Sequence, residues 1–312
     1  MKTSLRRLVA AATISSVGIA SIATVAIAAV AANDAAVATA VSSSLKVTKL
    51  PTNLTPTLAQ APTDTFVKFD AKCAGLKGGC VFGKTTGKDV MYVFGDSHAQ
   101  EWLAPLVGAF GSTYKIVISF RYQCQPAEVD VQPTPGTTPD TGCASWRSSA
   151  ISSIVKAKPK VIVIAESTFR LKTTDGANMS TATWSTGLVT VITQLKASGA
   201  KIVLIGDNPA FQVNPSSCLA QNTSNVQNCT RNPATQPVEY QVLSAAESNA
   251  ANVSGIGYID TTKWFCKVSS SQTQCPAVIG NMIPYFDWNH ITLTYSKYLT
   301  TVLKTAVLKY MK

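Results

Sequence analysis

The stretch Val90-Met91-Tyr92-Val93-Phe94-Gly95-Asp96-Ser97-His98 decides how this chain is read. Its first five residues are apolar, too few for a helix and too continuous for a half-exposed strand. That is the pattern of a strand buried on both faces in a parallel sheet. Gly95 permits a tight turn. Ser97 then falls at the carboxyl end of the strand, where a helix begins, and its hydroxyl can project into the crevice that open α/β sheets form there. The plainer use of a serine at such a turn is to cap the following helix.

Outward from this stretch, similar runs recur at 116–120, 161–165, 202–205 and 257–260. Segments with helical spacing lie between and after them, at 100–110, 144–157, 181–198, 238–252 and 294–310. Strand and helix in alternation predict an α/β fold with right-handed crossovers. The expected architecture is a flavodoxin-like three-layer sandwich around a parallel sheet of about five strands. Two connections, 121–142 and 208–237, are long enough to read as functional loops. Residues 33–65 are rich in Ala, Thr, Ser and Pro with little periodicity and read as a flexible linker, which leaves 66–312 as the folded domain.

Residues 1–32 read as a targeting segment. Lys2, Arg6 and Arg7 form a basic start, and an uncharged run rich in Ala, Ile and Val follows. This is a signal-peptide pattern, and the run is also long enough to serve as an N-terminal membrane anchor. Either way the remainder is expected outside the cytoplasm, in the periplasm or the extracellular space. The eight cysteines fall into sequential pairs: Cys73 with Cys80, Cys124 with Cys143, Cys218 with Cys229, and Cys266 with Cys275. An even count in an exported chain favours disulfides. No C-x-x-C occurs, so no zinc site is expected, and neither another metal nor a cofactor is called for. The net charge of +11 either draws anionic partners or serves solubility. Basic clusters interleaved with aromatics are missing from the sequence, which argues against nucleic acid.

The sequence holds two histidines, His98 and His290. His290 closes the run Asp287-Trp288-Asn289-His290, just ahead of the last helical segment. A serine nucleophile needs a base within hydrogen-bond reach and a carboxylate that orients that base. A D-x-x-H turn can supply both from one loop, although a surface aspartate beside a helix cap would have the same spacing. Glu166, at the end of the third run, reads as a solvated carboxylate rather than one buried in a site. Among Trp102, Trp184, Trp264 and Trp288, core packing is the ordinary fate, and Trp288 is the candidate for stacking on a sugar ring.

Gly95-Asp96-Ser97-His98 after the first strand and the D-x-x-H block before the last helix resemble the SGNH, or GDSL-like, hydrolases. The likeness is closest to SGNH domains attached to, or found beside, membrane acyltransferase-3 proteins that O-acetylate surface glycans. It extends to a cysteine pair shortly before the D-x-x-H block, matched by Cys266 and Cys275, and to the ending Asn289-His290-Ile291-Thr292. The resemblance implies a serine esterase or O-acyltransferase acting on acylated carbohydrate. It makes Ser97 the nucleophile, His290 the general base and acid, and Asp287 its orienting partner. Asp96 would hold the turn, and His98 would line the pocket or hydrogen-bond a loop. A membrane acyltransferase-3 protein is the implied partner. The chain departs from the family where the oxyanion hole is built: Ser119-Phe120-Arg121 lacks the usual Gly, and Glu166-Ser167-Thr168 lacks the usual Asn. The Ser97 amide remains, with Arg121, Ser167, Thr168 and Arg170 as substitutes, Arg121 and Thr168 foremost. That gap leaves room for a catalytically weak glycan-binding protein on the same fold.

Overall fold

The five apolar runs become parallel strands of one sheet, and an antiparallel strand that the sequence did not announce is added at its edge. The structure is a computed structural model describing residues 33–66, 79–132, 141–169, 171–232, 239–270 and 272–312. The targeting segment at 1–32 and Cys73 lie outside the described residues. The strands are β1 (Cys80–Gly83), β2 (Val90–Gly95), β3 (Lys115–Phe120), β4 (Val161–Ala165), β5 (Lys201–Ile205) and β6 (Gly257–Ile259). They lie in the order β1-β3-β2-β4-β5-β6, with β1 antiparallel to β3 and every other pairing parallel. The order reverses between β2 and β4, which is where a doubly wound sheet opens its crevice. Ser97 follows β2 and therefore stands at that crevice.

Alternation along each strand feeds two cores. Met91, Val93, Ile116, Ile118, Val163 and Val203 face one layer, with Leu103, Leu106, Val302 and Leu303 against them. Tyr92, Phe94, Val117, Ile162, Ile164 and Leu204 face the other, with Trp146, Ile151, Leu188 and Leu243. The first layer holds α2 (Ser97–Glu101), α3 (Leu103–Phe110), α7 (Leu293–Tyr298) and α8 (Thr300–Leu308). The second holds α4 (Gly142–Ala157), α5 (Thr181–Lys196) and α6 (Glu239–Val253). The three-layer sandwich expected from the sequence is therefore present, with six strands in place of five.

Residues 33–65 correct the sequence reading: together with Phe66 they form a docked arm, not a flexible linker. Helix α1 (Asp34–Ser44) is capped by the Asn33 side chain. Val37, Val41 and Ala61 are wholly or almost wholly buried in the first core. The Thr55 N–H donates to the Asn281 carbonyl and the Leu50 N–H to the Thr223 carbonyl. The pattern was missed because a stripe of valine and alanine four residues apart gives little contrast against an Ala/Ser/Thr background. The second long connection also differs from expectation, since it contains a helix at Pro215–Gln221 and a 3-10 turn at Val226–Cys229. Cys124–Cys143, Cys218–Cys229 and Cys266–Cys275 are disulfides, as the nearest-neighbour pairing anticipated.

The loop after β3 is fixed to the sheet. Cys143 ties it to α4, and Arg147 donates through Nε to the Gln125 carbonyl and through an Nη to the Val129 carbonyl, each at 3.1 Å. The Ala127 N–H donates to Glu166 Oε2 at 3.0 Å. Glu166 is fully buried, against the solvated reading, because this loop folds over the end of β4. Burial pushes its carboxyl up to about 8, more than the Ala127 N–H and the Arg147 charge lower it.

At Gly95 the backbone of β4 comes too close for a side chain: an added Cβ would lie 1.8 Å from the Ala165 oxygen and 2.6 Å from Ala99 Cβ. Gly95→Ala is expected to lower unfolding stability in urea by ~3 kcal/mol or more, since the overpacking cannot relax without moving backbone. For Glu166 the folded chain holds a proton that the unfolded chain releases near pH 4.5. Its contribution to stability is therefore present below that pH and is lost as pH rises towards 8, by up to ~1.4 kcal/mol per pH unit. Glu166→Gln keeps the acceptor for Ala127 and removes the proton. Thermal unfolding between pH 5 and 8 should show a shallower decline for the variant than for the parent, and parallel declines would refute the assignment.

Candidate active site

Asp96 sets the turn that presents Ser97. As the N-cap of α2 it accepts the His98 N–H at 2.8 Å through Oδ1, and its Oδ2 accepts the Ser167 N–H at 2.8 Å. Burial raises its carboxyl above the ordinary range despite these bonds and the nearby His98 charge. Ser97 is the first residue of the helix, so no carbonyl one turn back takes its N–H.

The block at 284–292 folds back on itself. The Phe286 N–H donates to the His290 carbonyl at 3.0 Å, and the Thr292 N–H donates to the Pro284 carbonyl at 2.9 Å. Inside this turn Asp287 Oδ1 accepts the N–H groups of Asn289 and His290 at 2.9 and 2.7 Å. Its Oδ2 lies 2.7 Å from His290 Nδ1. Partial burial would raise the Asp287 carboxyl, but the His290 ring and the two amides outweigh it and hold it below the usual carboxylate value. A carboxylate there places the ring proton on Nδ1 and leaves Nε2 with a lone pair. Nε2 faces Ser97 Oγ at 2.9 Å, so the serine hydroxyl donates to it. Ser97, His290 and Asp287 are thus brought together in one relay.

Three side chains of α2 meet three consecutive loop residues. His98 Nε2 meets the Asn289 side-chain amide at 3.0 Å, Ser97 meets His290, and Glu101 Oε1 accepts the Ile291 N–H at 3.0 Å. Of the two roles expected for His98, the structure shows the loop hydrogen bond and not the pocket lining, since the ring is buried beneath the site. Its Nδ1 lies 2.6 Å from Asp207 Oδ1. Burial disfavours a charge on its ring, but the carboxylates of Glu101, Asp207 and Asp96 prevail and hold its pKa well above the ordinary histidine value. Burial also drives the Glu101 carboxyl well above its usual range. Asp207 also accepts the Asn208 N–H and both the N–H and the hydroxyl of Thr168.

That last contact corrects a second expectation. Thr168 spends both of its donors on Asp207, and the Ser167 N–H serves Asp96, so neither points at a reacting carbonyl. Arg121 is half-buried and donates its N–H to the Gly95 carbonyl at 3.2 Å, and Arg170 lies outside the described residues. Trp102, Trp184 and Trp264 are core residues, whereas Trp288 is 48% exposed next to the relay. Asp207, Asn208 and Glu101 are not legible in the sequence as partners of the site, because buried polar residues scattered over the chain carry no local pattern; Asn289 lies in the quoted block, but its bond to His98 does not show there. His98, Glu101 and His290 offer ligand atoms within 4.8 Å of one another. Both nitrogens of both rings are already engaged by protein groups, so this trio is not an open donor set for a cation.

Residues 64–305 match the family model described as the SGNH domain fused to AT3 domains. No curated protein sequence matches significantly. Among solved structures, the periplasmic domain of a lipopolysaccharide acetyltransferase from Salmonella ser. Paratyphi A is similar, at 21% identity and TM-score 0.56 over 72% of this chain and 85% of that one. A putative acylhydrolase from Bacteroides fragilis NCTC 9343 aligns at 14% identity and TM-score 0.45, over 74% of this chain and 91% of that one. A GDSL-like lipase from Bacteroides thetaiotaomicron VPI-5482 aligns at 12% identity and TM-score 0.43, over 71% and 88% respectively. The chemistry that goes with such domains is acyl-ester hydrolysis or acetyl transfer. On the extent of the match, and with the Gly95–Ser97 turn and the Asp287–His290 block in their expected places, the chain belongs to the SGNH domain family of the kind fused to AT3 domains.

Proposed function

We propose that this protein is an exported serine esterase or O-acyltransferase acting on acetyl esters of cell-surface or extracellular glycans. The observation that carries the proposal is the relay from Asp287 Oδ2 through the His290 ring to Ser97 Oγ, with its 2.7 and 2.9 Å steps. His290 Nε2 takes the Ser97 proton as Oγ attacks the acyl carbonyl. The Ser97 N–H stabilises the oxyanion. Collapse breaks the ester bond, and the His290 proton leaves with the departing alcohol. Water or a sugar hydroxyl then attacks the acyl-serine, with His290 again taking a proton; the bond from the acyl carbon to Ser97 Oγ breaks, and His290 returns the proton to that oxygen. Water makes the protein an esterase and a sugar makes it a transferase.

Export is supported by the three disulfides and by the basic, then apolar, start of the sequence. Among the described residues no helix is long and apolar enough to cross a membrane. An acyltransferase-3 membrane protein is the partner that the family description favours. Trp288, exposed beside His290, is the surface on which a sugar ring would stack.

A second reading, a weakly active glycan-binding protein, is favoured by one observation. Ser167 and Thr168 give their amides to Asp96 and Asp207, and an oxyanion hole short of one donor is slower by about two to three orders of magnitude. A fluorophosphonate probe separates the two readings. The parent protein should be labelled at Ser97, and Ser97→Ala should not be; an unlabelled, folded parent would favour the binding protein. Asp287→Asn should reduce kcat on p-nitrophenyl acetate by roughly two to four orders of magnitude, because the ring loses the partner that fixes its tautomer. Esters of longer chain should be poorer substrates than acetate, and a preference for long chains would point to lipid instead. Trp288→Ala should raise KM for an acetylated oligosaccharide more than for p-nitrophenyl acetate.

A further inference from the structure

On the reading of His290 as the base, we propose that the N-terminal arm is a working part of the site and that Phe66 is a positioning residue for the His290 ring. The imidazole is held by more than Asp287. Phe286 stacks on it with centroids 5.4 Å apart and planes 5° from parallel. Phe66 presents its ring to it edge-on, at 5.4 Å and 83°. Phe66 also meets Phe286 at 5.2 Å and 81°, so the three rings touch pairwise, and His98 stands against His290 at 4.9 Å. Two of these neighbours come from the D-x-x-H turn and from α2. Phe66 alone comes from the arm.

The arm holds this position by bonds beside the base. The Asp64 carbonyl accepts the Leu293 N–H at 2.9 Å, and Asp64 Oδ2 accepts the Thr294 N–H at 3.0 Å. These are first-turn amides of α7, the helix that begins three residues after His290, and they would otherwise lack acceptors. Upstream, Ser44 Oγ accepts the Gly280 N–H at 2.8 Å, and the Val37 and Val41 side chains anchor α1 in the core. The arm is thus stitched to the segment that carries the catalytic block, and its last described residue closes one side of the ring.

Rotation about the two side-chain torsions of His290 would break the 2.9 Å contact with Ser97. A ring with one aromatic neighbour parallel to it and another perpendicular to it cannot rotate freely, whereas a ring that has lost the second can. The role of Phe66 is therefore geometric and shows in the chemical step rather than in substrate binding.

The test uses the full chain and three readouts: kcat and KM on p-nitrophenyl acetate, near-UV circular dichroism, and the imidazole signals of His290 in nitrogen-15 NMR. Phe66→Ala should lower kcat by about 10- to 100-fold, the size expected of a misplaced catalytic group, with KM changed less than about threefold by the same argument. Phe66→Tyr, which keeps the ring, should restore kcat to near the parent value. The NMR should show one Nδ1-protonated ring in the parent and in Phe66→Tyr, and exchange broadening in Phe66→Ala. An alanine variant with parental kcat and a single sharp ring would overturn the proposal. So would a loss of kcat that tyrosine does not restore while the dichroism is unchanged. If the parent itself neither turns over nor reacts with the fluorophosphonate, the enzymatic reading fails, and the NMR comparison still decides whether Phe66 holds the ring.

Discussion

The contact on which the rest depends is the match between one turn of helix and three consecutive loop residues, Asn289, His290 and Ile291, met by His98, Ser97 and Glu101. Two of these three contacts are buried and structural, and they flank the one that can do chemistry. The loop cannot slide along the helix without breaking an amide contact on one side and a carboxyl contact on the other. The serine and the histidine are therefore held at hydrogen-bond distance before any substrate arrives, which is the preorganisation that a proton relay requires.

Beneath this match lies a buried pair, His98 and Asp207. Taking two charges out of water is costly, and such a pair is tolerated when its hydrogen-bonding capacity is filled. Asp207 is filled by the His98 ring, the Asn208 amide and both donors of Thr168. Asp96 is filled by the amides of His98 and Ser167. Satisfying these carboxylates and stabilising an oxyanion draw on the same stretch of backbone after β4. Here the carboxylates have it. Ser167 and Thr168 spend their donors on Asp96 and Asp207 and so stiffen the site from below.

The arm shows how a part of the chain outside the α/β alternation can enter the site. Its first turns add Val37 and Val41 to the core, its middle is bonded to the segments around Thr223 and Asn281, and its end reaches the His290 ring and the helix after it through Phe66 and Asp64. Stability and positioning are supplied by the same docking. The long loop after β3 is handled similarly on the opposite face, where a disulfide, Arg147 and Glu166 fix it over the strand ends.

Local pattern was enough to read the five parallel strands, the helices between them, the turn at Gly95 and the pairing of neighbouring cysteines. Each of these is set by periodicity, by a backbone demand or by short separation along the chain. The meeting of Ser97, Asp287 and His290 was legible for a related reason: hydroxyl, carboxylate and imidazole sit in two short motifs of recognisable chemistry. Tertiary structure alone decided the fate of Thr168, the burial of His98 and Glu166, the partnership with Asp207 and the docking of the arm. Each of those outcomes depends on which polar group, brought from far along the chain, reaches a given donor first once water is excluded. Competition of that kind leaves no periodic trace in the sequence, because it is settled by proximity in space.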